Sequence, residues 1–286
     1  MDRPRVLKLT SCQAENSEFI GRAVASYLAG RLGLATEFVD GVSWQERERL
    51  LDAGEIHAGW ICGLPYVRKA DCRRPGIELL AAPVMEARRY AGRPVYFSDI
   101  VVRHDHPARS FADLRGARWG YNEPGSHSGH NIVCYQLAKR REHAGFFGCV
   151  VETGAHQRTL RMIAAGDVDA SAIDSTVLET EVRRRPLLAQ SVRVIETWGP
   201  SPAPPWVVSL RLSVALRRRL RGIVLAMHRE PAGRALLRKA RMARFTGISD
   251  RDYDPIRRMA LGAARADLVA GLPADRPRAA RHQRFT

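Results

Sequence analysis

Two short stretches carry the residues best suited to chemistry: Tyr121-Asn-Glu-Pro-Gly-Ser-His-Ser-Gly-His-Asn131 and Thr153-Gly-Ala-His156. Each follows a strand-like run and reads as a Gly/Ser turn that delivers the chain to a helix N-terminus. The first backbone N–H groups of a helix have no partner within it and carry the positive end of its dipole. Hydroxyls and glycines placed there form a cradle for an oxyanion. In the first stretch Ser126 and Ser128 bracket His127 just before Gly129, so their hydroxyls and the amides of Ser128 and Gly129 could donate to one anion. In the second, His156 could donate from its imidazole. The same residue types would serve equally as N-caps and a Gly-rich turn without any ligand.

Other chemistries find less support. His127, His130 and His156, with Glu123 nearby, supply metal-ligand types, but His127 and His130 stand three apart across a turn with no Cys/His framework, so no metal is expected. There is no Gly-x-Ser-x-Gly elbow, no Gly-x-x-x-x-Gly-Lys loop and no acidic pair in a catalytic setting, so neither catalysis nor a cofactor is expected. Tyr96 and Ser98 alternate along one strand and share a face, where Tyr96 reads either as a ligand contact or as a core tyrosine. Asp174 reads either as a pocket acid or as the N-cap of a helix from Ser175 to Arg184. Cys12 and Gln13 lie in a loop after the first strand and so approach any cleft there.

Together with Tyr96-Phe-Ser-Asp-Ile-Val-Val102, Ser110-Phe-Ala-Asp-Leu-Arg-Gly116 and Gly166-Asp-Val-Asp-Ala-Ser-Ala-Ile-Asp174, these turns resemble the phosphonate-, phosphite- and phosphate-binding proteins of ABC importers, from about Val6 to about Tyr253. The resemblance implies an α/β, two-lobed type II periplasmic binding-protein fold that captures a small oxyanion for an ABC permease and catalyses nothing. It places the family's [Ser/Thr]-x-Ser-Gly turn on Ser126, Ser128 and Gly129, with His127 inside it, the ligand histidine on His156, and the strand tyrosine on Tyr96. Tyr66, in Leu-Pro-Tyr, and Asp174 resemble the aromatic and acidic residues that close the family's pocket. His127 and His130 depart from the commoner turn, which leaves open which phosphorus ligand fits. The rival expectation is a cytosolic use of the same fold, as a small-metabolite enzyme or a ligand sensor.

Strand and helix signals alternate from the start, as in mainly parallel sheets flanked by helices. Val6 to Thr10 is a strand, Asn16 or Ser17 caps a helix that Gly33 ends, and Ala35 to Val39 returns as a strand. Ser43-Trp-Gln-Glu46 opens a second helix, and Ile56 to Cys62 is a strand leading into Gly63-Leu-Pro-Tyr66. Val95 to Val102 begins a second lobe. There Arg118 to Tyr121, Val150 to Thr153 and Ala170 to Ile173 each feed a turn and a helix. Gly199-Pro-Ser-Pro-Ala-Pro-Pro205 is an extended, stiff crossover back. Helices are expected at Ser213 to His228 and Pro231 to Ala243. Two hinge crossings, near residues 97 and 200, divide the chain into a discontinuous lobe (1–97 plus 200–271), a middle lobe (98–199) and a flexible tail (272–286), with the ligand in the cleft between lobes.

The sequence has 286 residues, 45% of them hydrophobic and 27% charged, a soluble globular composition. Its formal net charge of +16 raises nucleic acid as a partner, but only four of the 46 basic residues are lysine and the arginines are scattered. Local runs such as Arg183-Arg-Arg185 and Arg217-Arg-Arg219 fall on helices as solvated faces, so no specific nucleic-acid binding is expected. Five cysteines form no C-x-x-C pair and read as reduced thiols. No apolar h-region precedes the first strand, which points to the cytoplasm, whereas the resemblance implies a periplasmic or cell-surface protein. A monomer is expected.

Overall fold

The computed structural model describes residues 4–142 and 145–264. The first sheet is built from β1 (Val6–Ser11), β2 (Ala35–Val39), β3 (Ala58–Trp60) and β4 (Ile77–Met85), joined later by β10 (Trp206–Ser209) and β11 (Met242–Thr246). Its order is β11-β4-β10-β3-β1-β2. The helices between these strands are α1 (Glu18–Leu32), α2 (Trp44–Asp52), α3 (Gly63–Ala70), α8 (Val214–Ala226) and α9 (Pro231–Lys239). The second sheet holds β5 (Val95–Arg103), β6 (Arg118–Tyr121), β7 (Cys149–Glu152), β8 (Ala170–Asp174) and β9 (Val192–Pro202), in the order β7-β6-β8-β5-β9. Around it lie α4 (Ile132–Lys139), α5 (His156–Ala165), α6 (Ser175–Arg184) and α7 (Pro186–Ser191), and a last helix, α10 (Asp254–Ala263), follows β11.

The two-lobed α/β class is as expected, but the sheets are mixed rather than mainly parallel. Within βα units the strands run parallel, as in β1 with β2 and β3, and β6 with β7 and β8. Strands at the crossings run the other way: β10 is antiparallel to β3 and β4, and β5 to β8 and β9. A chain that leaves one sheet for the other re-enters from the opposite end, which reverses the strand direction there.

Each sheet buries its own core. Leu7, Leu9, Val24, Leu28, Trp206 and Leu220 pack around the first. In the second, Phe111 stacks on Phe146 at 5.1 Å and Trp119 on Phe147 at 4.5 Å. Gly33 ends α1 with φ 57°, the left-handed conformation that glycine adopts without strain.

Three segments differ from the sequence reading. Gly63-Leu-Pro-Tyr66 opens α3, because Pro65 stands in the first turn, where no intrahelical donor is needed. Residues Gly199–Pro202 extend β9, pairing Tyr96 with Ser201 and Val95 with Pro202, since β9 is an edge strand that tolerates proline. Arg241, with φ 56°, turns the chain out of the helix expected through Ala243, and β11 pairs with β4 instead. Helix α10 was not expected and packs against both α3 and α4, so it touches both lobes. The tail 272–286 lies outside the described residues.

Candidate functional site

The carboxyl ends of β6 and β8 bring Asn122 and Asp174 to a cavity shared with Cys12 and Gln13 of the loop after β1, the usual ligand position in α/β folds. β6 ends at Tyr121, and after Asn122 and Glu123 the chain enters a wide π-helical turn over His127–Asn131 before α4. The Asn131 N–H donates to the Ser126 carbonyl at 2.9 Å, five residues back, which defines that turn. Such bulges are frequent at functional sites. Ser126 caps it: its Oγ accepts from the Gly129 N–H at 3.0 Å and lies 3.5 Å from Ser128 Oγ. Ser128 Oγ in turn meets His156 Nε2 at 3.1 Å, so the two predicted turns converge in one hydrogen-bonded cluster. α5 begins at His156, after Gly154 in the left-handed region (φ 81°). Its first residues, His156 and Gln157, line the same space.

The cluster forms one wall of a cavity of about 290 Å³ between the lobes. Ser126, Ser128, His156, Asp174 and Cys12 all line it. Gly129 sits behind the turn, where a Cβ would lie 2.0 Å from Asn122 Oδ1 and 3.1 Å from His156 Cε1. Only glycine lets those side chains close in.

The other candidates are placed elsewhere. His127 is fully buried and turned away, its Nε2 3.0 Å from Ser201 Oγ and its Nδ1 3.0 Å from Asn131 Nδ2. It ties the turn to β9. Tyr96 is buried edge-on to His127 at 6.4 Å and lines a neighbouring cavity rather than this one. Tyr66 is brought to neither cavity: its hydroxyl donates to Asp250 Oδ1 at 2.7 Å and its ring packs 4.6 Å from Tyr253, because it lies on the face of α3 turned to the C-terminal segment. Asp174 lines the cavity and also caps α6, accepting from the N–H of Thr176 at 2.7 Å and of Val177 at 3.4 Å.

Sequence reasoning missed Asn122, Gln157, Trp44 and Arg47 among the lining residues. Asn122 directly follows a strand and Gln157 stands in the first turn of α5, positions that the strand–turn–helix pattern alone could have flagged. With its amide oriented to satisfy both partners, Gln157 Oε1 accepts from the N–H groups of Glu15 (3.2 Å) and Asn16 (3.0 Å). Asn16 Nδ2 donates to Glu181 Oε1 at 2.9 Å. The lobes therefore touch across the cleft.

The electrostatics are unusual for a chain of such positive charge. Arg47 is the one Lys or Arg among the residues lining the cavity, and it is fully engaged: it donates to the carbonyls of Ser11, Asp40 and Val42 and to Glu18. Burial holds His156 down to about 4 and His127 down to about 3, so both imidazoles are neutral near pH 7. His156 Nδ1 and Asn122 Oδ1 are buried without partners. Burial raises Asp174 to about 6, and burial with the charges of Glu48 and Glu152 raises Glu123 to about 7. Burial also pushes the Cys12 thiol up, which makes it an unreactive wall. The cavity thus offers neutral donors and helix dipoles, the means by which a protein holds a small oxyanion without a fixed counter-ion.

A family model described as ABC transporter, phosphonate, periplasmic substrate-binding protein matches residues 13–253. The phosphonates-binding periplasmic protein of Escherichia coli (strain K12) is 27% identical over 175 residues, 59% of this chain and 52% of that protein. The chain thus spans about half the length of that curated relative. A binding-protein component of an ABC phosphonate transporter from Pseudomonas aeruginosa shares the fold with a TM-score of 0.80 at 19% identity, over 92% of this chain and 87% of that one. PhnD1 from Prochlorococcus marinus (MIT 9301), solved in complex with methylphosphonate, superposes with a TM-score of 0.79 at 17% identity, over 92% of this chain and all of that one. With most of its length matched by the family model, the chain belongs to the periplasmic substrate-binding proteins of ABC phosphonate transporters.

Proposed function

We propose that this protein captures a small phosphorus oxyanion, of the phosphonate, phosphite or phosphate class, between its lobes and presents it to an ABC permease. The observation that carries this reading is the meeting of two helix N-termini through Ser128 and His156 on one buried cavity. The anion's oxygens would accept from the Ser126 and Ser128 hydroxyls, from the first amides of the π-helical turn and of α5, and from the His156 imidazole. Binding, rather than bond breaking, is its chemistry. The family is periplasmic, which leaves the cytosolic expectation without support.

Because the buried carboxyls Glu123 and Asp174 ionise near pH 7 and 6, the cavity gains negative charge as pH rises through that window. Anion affinity then weakens unless the ligand brings its own cation to face them. The test is calorimetry of the purified protein with methylphosphonate, phosphite and phosphate, beside an assay for product. Saturable binding without turnover supports the reading. Turnover of any of them, or no binding by all three, sinks it.

A further inference from the structure

Behind the cradle lies a second cavity, of about 180 Å³, that shares Gln13, Ala14, Asp174, Val177 and Pro204 with the first. Its character is different. The floor is apolar, formed by Ile20, Trp60, Met85, Val95 and Val177. Along the second cavity polar groups are left over: Gln13 Nε2 and the hydroxyl of Tyr96, a residue only 1% exposed, are buried without a hydrogen bond of normal geometry, the Tyr96 hydroxyl lying near the Ser128 side chain. Buried polar atoms of this kind usually have a partner, and a ligand passing between the cavities would supply it.

Helix α6 joins the two regions. Asp174, Thr176, Val177, Thr180, Arg183 and Arg184 all line the second cavity, and that spacing is one continuous helix face. The face begins at the cradle with the Asp174 cap and ends at the rim with exposed arginines. Nine positions separate Asp174 from Arg183, a rise of about 13 Å. On the opposite rim Lys239 ends α9. Among the described residues Arg183 and Lys239 have no acidic partner within ion-pair distance, although many of the surface arginines do, Arg241 of the same rim with Glu86 included. Each lobe thus brings a cation without an acidic partner to this rim; Arg184, likewise without one among the described residues, lies over the Phe19 ring at 5.6 Å.

We propose that the two cavities are one elongated site, and that the ligand is a phosphorus oxyanion with an apolar arm ending in a second anionic group held by Arg183 and Lys239. The proposal rests on the reading of the cradle given above and narrows it to a class of dianions too long to fit the cradle alone. An arm threaded past Tyr96 and Gln13 covers apolar surface contributed by both lobes, so it favours the closed arrangement as well as adding area.

Calorimetry on the full chain tests this with three probe sets: methylphosphonate, linear alkylphosphonates of increasing length, and the matching ω-carboxyalkylphosphonates. Affinity is expected to rise with arm length, and the carboxylate is expected to add roughly tenfold or more at the length that reaches the rim. Arg183→Gln with Lys239→Gln, both exposed and away from either core, should abolish the carboxylate gain and leave methylphosphonate affinity unchanged. Thr180→Trp, which fills the second cavity, should abolish the gain from the arm as well. Long probes binding no more tightly than methylphosphonate would overturn the elongated site while leaving the cradle intact, and so would equal losses for short and long probes in the charge variant. Failure of every probe, methylphosphonate included, would sink the reading of the cradle and this extension with it.

Discussion

The proposed oxyanion cradle depends on a few atoms whose neighbours leave them little freedom. Ser128 Oγ and His156 Nε2 hold each other at 3.1 Å and face the cavity from different helices. Replacing either by alanine removes a donor from the cavity wall and leaves its buried partner unpaired, so Ser128→Ala and His156→Ala should each cost about 1.5 to 3 kcal/mol of methylphosphonate affinity, with a small fall in melting temperature. Titration calorimetry showing parent-like affinity in both would disprove the cradle. Gly129 acts sterically. A methyl group there would sit 2.0 Å from Asn122 Oδ1, so Gly129→Ala must displace Asn122 from the cavity wall. The expected outcome is at least about tenfold weaker binding, partly recovered when Asn122→Ala removes the obstacle. A Gly129→Ala protein that binds normally would show that the close approach is unimportant.

At the scale of elements, α6 begins at a buried carboxylate, Asp174, that both caps the helix and lines the cleft. Asp174→Ala removes a cap accepting from Thr176 and Val177 and should destabilise the protein by about 1 kcal/mol in urea unfolding. Asp174→Asn keeps an acceptor and removes only the charge. Since burial raises this group to about 6, the folded state binds more protons than the unfolded one between the ordinary carboxylate range, about 4, and pH 6. Stability from this group is therefore lost as pH rises through that window. The buried histidines act oppositely: held at about 3 and 4, they make the folded state bind fewer protons than the unfolded one, and their share of stability is lost as pH falls below the ordinary histidine value. Comparing Asp174→Asn with the parent isolates the first effect, and the variant's relative stability should grow from pH 4 to pH 6. A constant difference would contradict the placement of the acid.

As a whole, the molecule is two sheets, each packed by its own core clusters, joined by the crossings after β4 and β9, with α10 lying against both sides. Contacts across the cleft include Asn16 to Glu181, Gln157 to the backbone of Glu15 and Asn16, the His127 N–H to Cys62 Sγ at 3.5 Å, and the Arg184 guanidinium over the Phe19 ring at 5.6 Å. Polar contacts of this kind contribute little net each, because opening the cleft returns their groups to water, so without ligand the two-lobed chain should open and close, and a ligand shifts the balance only through tighter binding to the closed form. Small-angle scattering should show a smaller radius of gyration with saturating methylphosphonate. Gln157→Ala should move the ligand-free protein further toward the open form and weaken affinity several-fold. An unchanged profile on adding ligand would count against closure.

The sequence by itself determined the strand–turn–helix units and the turns that carry the proposed anion donors. Those depend on neighbours in the chain: glycine at φ 57° after α1, and a serine cap at the turn of residues 126–129, are set by local backbone geometry. It also located His156 and the Cys12 loop on the cavity. The tertiary structure decided which of these meet. Ser128 and His156 are 28 residues apart, and no periodicity states that their helices converge. Nor does it state that His127, flanked by two cavity serines, turns back to Ser201, or that Tyr66 faces Asp250. Strand direction escaped for the same reason. Whether β10 runs with or against β3 depends on where the chain re-enters the sheet, and burial of both faces looks alike in either direction. Side-chain chemistry is written locally, but orientation, pairing and the depressed histidine values arise from burial, which only the packed chain defines.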